Sequence, residues 1–146
     1  MGRRGPRPTP SALKRAAGVR KDRINDDEPR PATPEEPPAP PPHLDEVAAE
    51  VWCRLVPELH SCGVLTRWDL ELFSRYCELE SIARDAWAWL KKPGIVIEGR
   101  RDKLITSPFW RVYRDAVDRQ RAIGHEFGLT PSGRSAIRSF PRRHSA

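Results

Sequence analysis

Eleven of the sixteen prolines in this 146-residue chain precede His43, and that distribution decides where a fold can begin. Proline fixes φ and removes a backbone donor, so a proline-dense segment builds neither a helix interior nor a central strand. Residues 24–42, INDDEPRPATPEEPPAPPP, hold no aromatic residue and almost nothing to bury. Such a stretch does not offset its own ordering entropy, and it is expected to be disordered or extended in polyproline II form. The foldable part is then residues 43–131, a core of about ninety residues that buries a modest fraction of its surface and gains from a partner.

Charge divides the chain along the same lines. Of the net +6, residues 1–23 contribute +7, residues 24–42 contribute −4 and residues 43–132 contribute −1. The tail from Gly133 adds +4 through Arg134, Arg138, Arg142 and Arg143. A near-neutral centre between two basic arms is a layout found in nucleic-acid-binding chains. In the N-terminal arm the phosphate-neutralising candidates are Arg3, Arg4, Arg7, Lys14, Arg15, Arg20, Lys21 and Arg23. Within it, SALKRAAG is expected to form two helical turns, with Ser11 as cap and Gly18 as stop. So short a helix is marginal in isolation.

After the prolines the pattern becomes helical. HLDEVAAEVWCRLVPELHSCG carries Val47, Val51, Leu55 and Leu59 in one apolar row. Asp45 is the expected N-cap and Gly63 the stop, and Pro57 is expected to bend or split the last turn. Thr66 and Asp69 have the T-x-x-D spacing of a cap for a second helix over about 67–91. Its seam reads Leu72, Tyr76, Leu79, Ala83, Ala86 and Leu90, alternating by four and three. IVIEGRRDKLIT predicts a hairpin at about 95–106 around Gly99-Arg100-Arg101-Asp102, with Glu98 opposite Lys103. One hairpin is barely stable alone, so it must lie on the helices or join another sheet edge. Ser107-Pro108 opens a third helix over about 108–127, whose seam includes Phe109, Tyr113, Ala116, Ile123 and Phe127. The expected fold is mainly α: an antiparallel core of about three helices with one small β-hairpin, flanked by disordered basic tails at 1–42 and 132–146.

Five tryptophans, Trp52, Trp68, Trp87, Trp89 and Trp110, are too many for so small a core. Apolar surface is therefore left over, and leftover contiguous apolar surface marks an interface, so an oligomer is expected. Leu72, Tyr76, Leu79, Trp89, Phe109, Trp110 and Tyr113 are the residues expected to form the core and the oligomer interface.

The chemistry-bearing patterns are missing. There is no G-x-x-x-x-G-K-[ST] phosphate loop, no HExxH, no G-x-S-x-G and no G-x-G-x-x-G. Cys53, Cys62 and Cys77 each fall in a helical apolar pattern and read as reduced core cysteines. His60 and Cys62 lack the spacing of a zinc pair. Asp115 and Asp118 sit among Arg111, Arg114, Arg119 and Arg121, which reads as a salt-bridged helix face. No catalytic residue, metal or cofactor is expected. The basic N-terminus has no apolar h-region, so it is not expected to be a secretory signal, and no apolar run approaches membrane-spanning length.

Five stretches in order carry a resemblance: GRRGPRPTPSALKRAAG, RINDDEPRP, PPPHLDEVAAEVWCRLVPELHSCGVLTRWDLELFSRYCE, GIVIEGRRDKLITSPFWRVYRDA and EFGLTPSGRS. The chain resembles the small subunit of bacteriophage terminase, in the branch with a basic, proline-rich N-terminal arm. GVRKDR replaces the Gly-Asn-Pro-like turn usual after the arm's helix. The resemblance implies a non-enzymatic, ring-forming factor in the cytoplasm of an infected bacterial host. Such a factor binds the packaging start site on concatemeric double-stranded viral DNA and presents it to the large subunit, which supplies ATPase and nuclease. It also implies that the tail arginines Arg134, Arg138, Arg142 and Arg143 contact the large subunit or DNA. Two alternatives remain from the residues alone: the turn at 61–66 permits a helix-turn-helix transcription regulator, which would act as a dimer, and a small nuclease would cut DNA with a divalent metal.

Overall fold

The computed structural model describes residues 11–16, 18–29 and 31–136. The chain divides into two compact units, Met1–Pro31 and Ala32–Ala146.

In the first unit, helix α1 spans Ser11–Ala16. The chain leaves it through the paired bonds of a Schellman cap, Gly18 N to Arg15 O (3.1 Å) and Val19 N to Lys14 O (3.0 Å). After a 3-10 turn at Lys21–Arg23 the backbone returns to the start of the helix. There Asn25 N donates to Ser11 Oγ (3.1 Å), and Ser11 N donates to Glu28 Oε2 (2.6 Å). The expected cap is thus altered: Ser11 holds the returning chain, and the Glu28 carboxylate takes the orphan N–H. Hydrogen bonding to Ser11 keeps the Glu28 carboxyl below its ordinary range.

The second unit is mainly helical with one antiparallel hairpin, as its apolar periodicity predicts. Helix α2 spans Glu46–Ser61, α3 Leu70–Leu90, α4 Pro108–Glu126 and α5 Pro131–Ala136; strands β1 (Val96–Glu98) and β2 (Leu104–Thr106) join α3 to α4. Asp45 caps α2, its Oδ1 accepting from Ala48 N at 2.8 Å. Its other oxygen accepts from Ser81 Oγ at 2.6 Å, so the cap also pins α2 to the middle of α3. The Ser81 hydroxyl first, and then the Ala48 N–H, hold the Asp45 carboxyl below its usual range. Pro57 does not split α2, which continues to Ser61. The donor it lacks affects only the last turns. Gly63 (φ 68°) and Gly128 (φ 69°) end α2 and α4 in the left-handed conformation that suits a residue without Cβ.

Side-chain pairs from end to end make α3 and α4 antiparallel neighbours: Trp89 with Phe109, Glu80 with Gln120, Phe73 with Phe127. Phe73 is the centre of the core, with Trp52, Tyr76 and Phe127 rings at 5.5, 5.5 and 5.2 Å. The buried row of α3 begins one position later than its sequence seam implies: Phe73 and Cys77 are fully buried, whereas Leu72 is exposed. Tyr76 and Leu79 are only half-buried, and Ala83, Ala86 and Leu90 are buried as expected. The reason is that α2 lies along the Phe73–Cys77–Ser81 side of α3 and widens the core there. Of the cysteines only Cys77 is buried; Cys53 and Cys62 are exposed, contrary to the core reading.

The hairpin also differs in register. Glu98 pairs with Leu104, not Lys103, and Gly99 N donates to Lys103 O at 2.7 Å. The loop therefore holds one more residue than a four-residue turn, and Arg101 and Asp102 take positive φ (59° and 58°) to close it. Neither strand packs along a helix among the described residues. Leu104 is 74 % exposed. Ser107 occupies the cap position of α4, yet its hydroxyl makes no cap bond and is buried without a partner among the described residues.

The proline-rich segment supplies the largest surprise of the fold. Residues 32–42 carry no helix or strand, yet they are held along α2. Trp52 Nε1 donates to Pro38 O (2.9 Å), His60 Nε2 to Pro34 O (2.9 Å), and Arg67 N to Ala32 O (3.0 Å). An extended proline segment has carbonyls that its own N–H groups cannot satisfy. Here the ring N–H groups of Trp52 and His60 satisfy two of them.

Candidate nucleic-acid interface and assembly surface

Of the arm's candidate phosphate contacts, Arg3, Arg4 and Arg7 lie outside the described residues. Lys14 and Arg15 sit on α1, and Arg20, Lys21 and Arg23 on the turn that follows it. The acidic half of the linker folds back on them. Arg15 pairs with Asp26, Arg20 Nε stands 3.4 Å from Asp22 Oδ1, and Lys14 Nζ donates to Arg23 O at 3.1 Å. The Lys21 and Arg23 side chains make no ion pair among the described residues. All of these pairs are solvent-exposed, and exposed pairs are worth little, ~0.2–1 kcal/mol. A phosphate can therefore displace Asp22 or Asp26 at small cost. Sequence reasoning missed this compensation because it placed the acidic residues in a separate linker.

The residues expected to form core and interface separate into two groups, with exposed Leu72 apart from both. Tyr76 stacks on Phe73 and belongs to the core, and Leu79 is half-buried beside it on α3. Trp89, Phe109, Trp110 and Tyr113 gather at the hairpin end of the α3/α4 pair. Trp89 lies flat on Phe109, with centroids 5.5 Å apart and planes at 9°, and is still 62 % exposed. Tyr113 is flanked by Trp87 at 5.3 Å and Trp110 at 5.8 Å. Trp68 stands exposed at the other end of α3, near Leu72. Aromatic rings that stack on each other yet remain in solvent form exposed apolar surface of the kind found at interfaces.

A polar network that sequence spacing did not reveal ties the three long helices. Arg84 reaches Glu80 (3.0 Å) on its own helix and Glu50 (3.2 Å) on α2. Gln120 of α4 donates to the second Glu80 oxygen at 2.9 Å. Gln120 first, and Arg84 after it, lower the Glu80 carboxyl pKa. Gln120 breaks the apolar seam of α4 in order to serve this carboxylate. Arg134 of the tail lies on α5 beside an apolar hollow that includes Leu55, Leu59 and Phe127; Arg138, Arg142 and Arg143 lie outside the described residues.

Among the described residues no three His, Cys, Asp or Glu side chains come close enough to hold a metal ion. His60, considered with Cys62 for zinc, instead points to the Pro34 carbonyl. Asp115 stands 3.6 Å from Arg114 on an exposed face, while Asp118 makes no ion pair among the described residues, so the expected salt-bridged face is met at Asp115 alone. The connection from Ser61 to Leu70 is longer than the three- or four-residue turn of a helix-turn-helix. Among the described residues no helix is long and apolar enough to cross a membrane.

These features define a class: a small helical module with exposed aromatic surface, joined to a basic appendage. The chain belongs to the phage terminase small-subunit family, whose model, described as phage terminase, small subunit, matches residues 48–141. No curated protein and no solved structure matches the chain. The matched span covers α2 through α5 and leaves the first compact unit outside it. Membership gives the chain the role of a terminase small subunit. That family is generally the non-catalytic, DNA-binding member of the enzyme, partnered with a large subunit and viral DNA in the infected host.

Proposed function

We propose that this chain assembles through its helical module into a ring, grips viral double-stranded DNA with its basic arms, and presents that DNA to the large terminase subunit to start packaging. The observation that carries the reading is the family match over the helical module. The arm of residues 1–23 supplies phosphate contacts, and Lys14, Arg15, Arg20, Lys21 and Arg23 gather within one turn-rich unit. One arm binds weakly. Many arms on one particle act at high effective concentration, and avidity exceeds a single arm's affinity by roughly a hundredfold or more. Phosphate contacts carry no sequence choice, so the packaging site is selected by DNA shape or bending around the assembly, or by a helix in a groove.

The arm lies within the compact unit Met1–Pro31, outside the unit Ala32–Ala146 that holds the helical module, so the two roles are expected to be separable by deletion. Removing residues 1–23 is expected to abolish salt-sensitive DNA binding while assembly persists. In the full chain, engagement of about six phosphates gives log K a slope near −5 against log salt. Electrophoretic mobility shifts across a salt series measure both. Unchanged binding after the deletion removes the arm from the mechanism.

A further inference from the structure

Two rows of side chains on the α3/α4 pair match each other in spacing and oppose each other in charge. On α3, Glu78, Ile82, Asp85 and Trp89 follow at intervals of four, three and four; on α4, Trp110, Arg114, Val117 and Arg121 do the same. Such intervals keep a row on one face of a helix. The antiparallel register set by Trp89 on Phe109 and Glu80 on Gln120 brings the rows to the same height. Trp89 is then level with Trp110, Asp85 with Arg114, Ile82 with Val117, and Glu78 with Arg121.

The rows do not meet within one subunit. Trp87 and Trp89, two residues apart, emerge about 200° apart around α3. Trp87 lies on the flank with Tyr113 and Trp110, and Trp89 on the other flank with Phe109. None of the level pairs forms an ion pair or ring contact among the described residues. Ile82, Asp85, Trp89, Arg114 and Arg121 are exposed. The helix α2 is pinned to Ser81 and Arg84. His43, just before it, stands 3.6 Å from Glu78, which also pairs with Arg75 at 2.8 Å, so the α3 row is open from Ile82 to Trp89.

We infer that the α3 row of one subunit packs against the α4 row of the next, Trp to Trp, carboxylate to guanidinium and Ile82 to Val117. This rests on the proposed self-association and assigns its contact surface. One patch used twice gives a two-fold dimer; two unlike patches on opposite flanks give a head-to-tail contact, which closes into a ring when the rotation fits. The charge pattern selects a second copy of this chain as the occupant. The acid-bearing row lacks the uniform basic charge that DNA requires, and its complement in order and spacing stands on the other flank of the same molecule.

Exchanging charges tests this in the full chain, with self-association followed by sedimentation velocity over a concentration series. Asp85→Arg and Arg114→Glu are each expected to raise the concentration for half-assembly roughly tenfold or more. The double variant, carrying both changes in one chain, is expected to return to within about threefold of the unmodified protein. Because Asp85 and Arg114 do not touch within a subunit, that rescue arises only between subunits. As a second arm, Ile82→Glu and Val117→Glu each block one row, so the two variants mixed are expected to give a 1:1 heterodimer and nothing larger. Recovery of the heterodimer also shows that both variants fold. If the unmodified chain assembles but the single charge variants match it, or the double variant is weaker than either, this interface is wrong and the ring reading stands. Absence of a heterodimer in the mixture overturns the interface in the same way. A chain that is monomeric at every concentration overturns both.

Discussion

The two ends of α3 carry similar aromatic residues in opposite circumstances. At its start Phe73 is enclosed by Trp52, Tyr76 and Phe127. At its end Trp87 and Trp89 are 44 % and 62 % exposed, each resting on one ring of α4. The difference follows from where α2 lies. It covers the first end with a full third layer and begins at Glu46, opposite Ser81, so the second end has two layers only. One end makes the subunit stable, and the other is the end to which the proposed assembly assigns association.

Truncation at the closed end has the largest expected effect on stability. Phe73→Ala should lower unfolding free energy by about 3–5 kcal/mol, measured by urea denaturation, because three rings lose their common neighbour. Trp89→Ala at the open end should cost under about 1 kcal/mol in dilute, dissociated protein, as surface changes do, and should instead weaken association. Comparable losses at the two positions would erase the distinction.

The junction between the ends comes next. Asp45→Ala removes the cap of α2 and the Ser81 contact, and should cost about 1–2 kcal/mol. The Asp45 carboxyl has a lowered pKa in the folded chain. Its contribution is therefore present at neutral pH and lost as pH falls below the ordinary carboxylate range. Denaturation midpoints should drop on acidification, and Asp45→Asn should flatten that drop. A smaller effect, about 1 kcal/mol, is expected for Trp52→Phe, which deletes the bond to Pro38 while keeping an aromatic ring in the core. Hydrogen exchange should then accelerate at Arg67, whose N–H is held by Ala32. The least perturbing check uses the thiols. Burial pushes Cys77 up to about 12, so the folded chain should react with a thiol reagent at Cys53 and Cys62 and spare Cys77 until it unfolds.

Helical periodicity revealed the number, order and approximate limits of the long helices, because that signal is local. It did not reveal which row of α3 faces inward, since Leu72 and Phe73 are equally apolar and only the position of α2 chooses between them. The surplus of tryptophan in the sequence already implied exposed aromatic surface, and four of the seven residues assigned to core or interface gather at the hairpin end. Two further features were not legible. The linker's order depends on side chains of Trp52 and His60, well along the chain, meeting carbonyls of Pro38 and Pro34. The matching rows needed the antiparallel register, because neither is unusual until the other is seen at the same height.

The central claim is that a helical module left open on two flanks self-associates while a separate basic arm holds DNA. Native mass spectrometry of the full chain tests it most directly. The account predicts one dominant closed species at a fixed multiple of the 16.7 kDa subunit. A spectrum containing only the monomer at every concentration would contradict it.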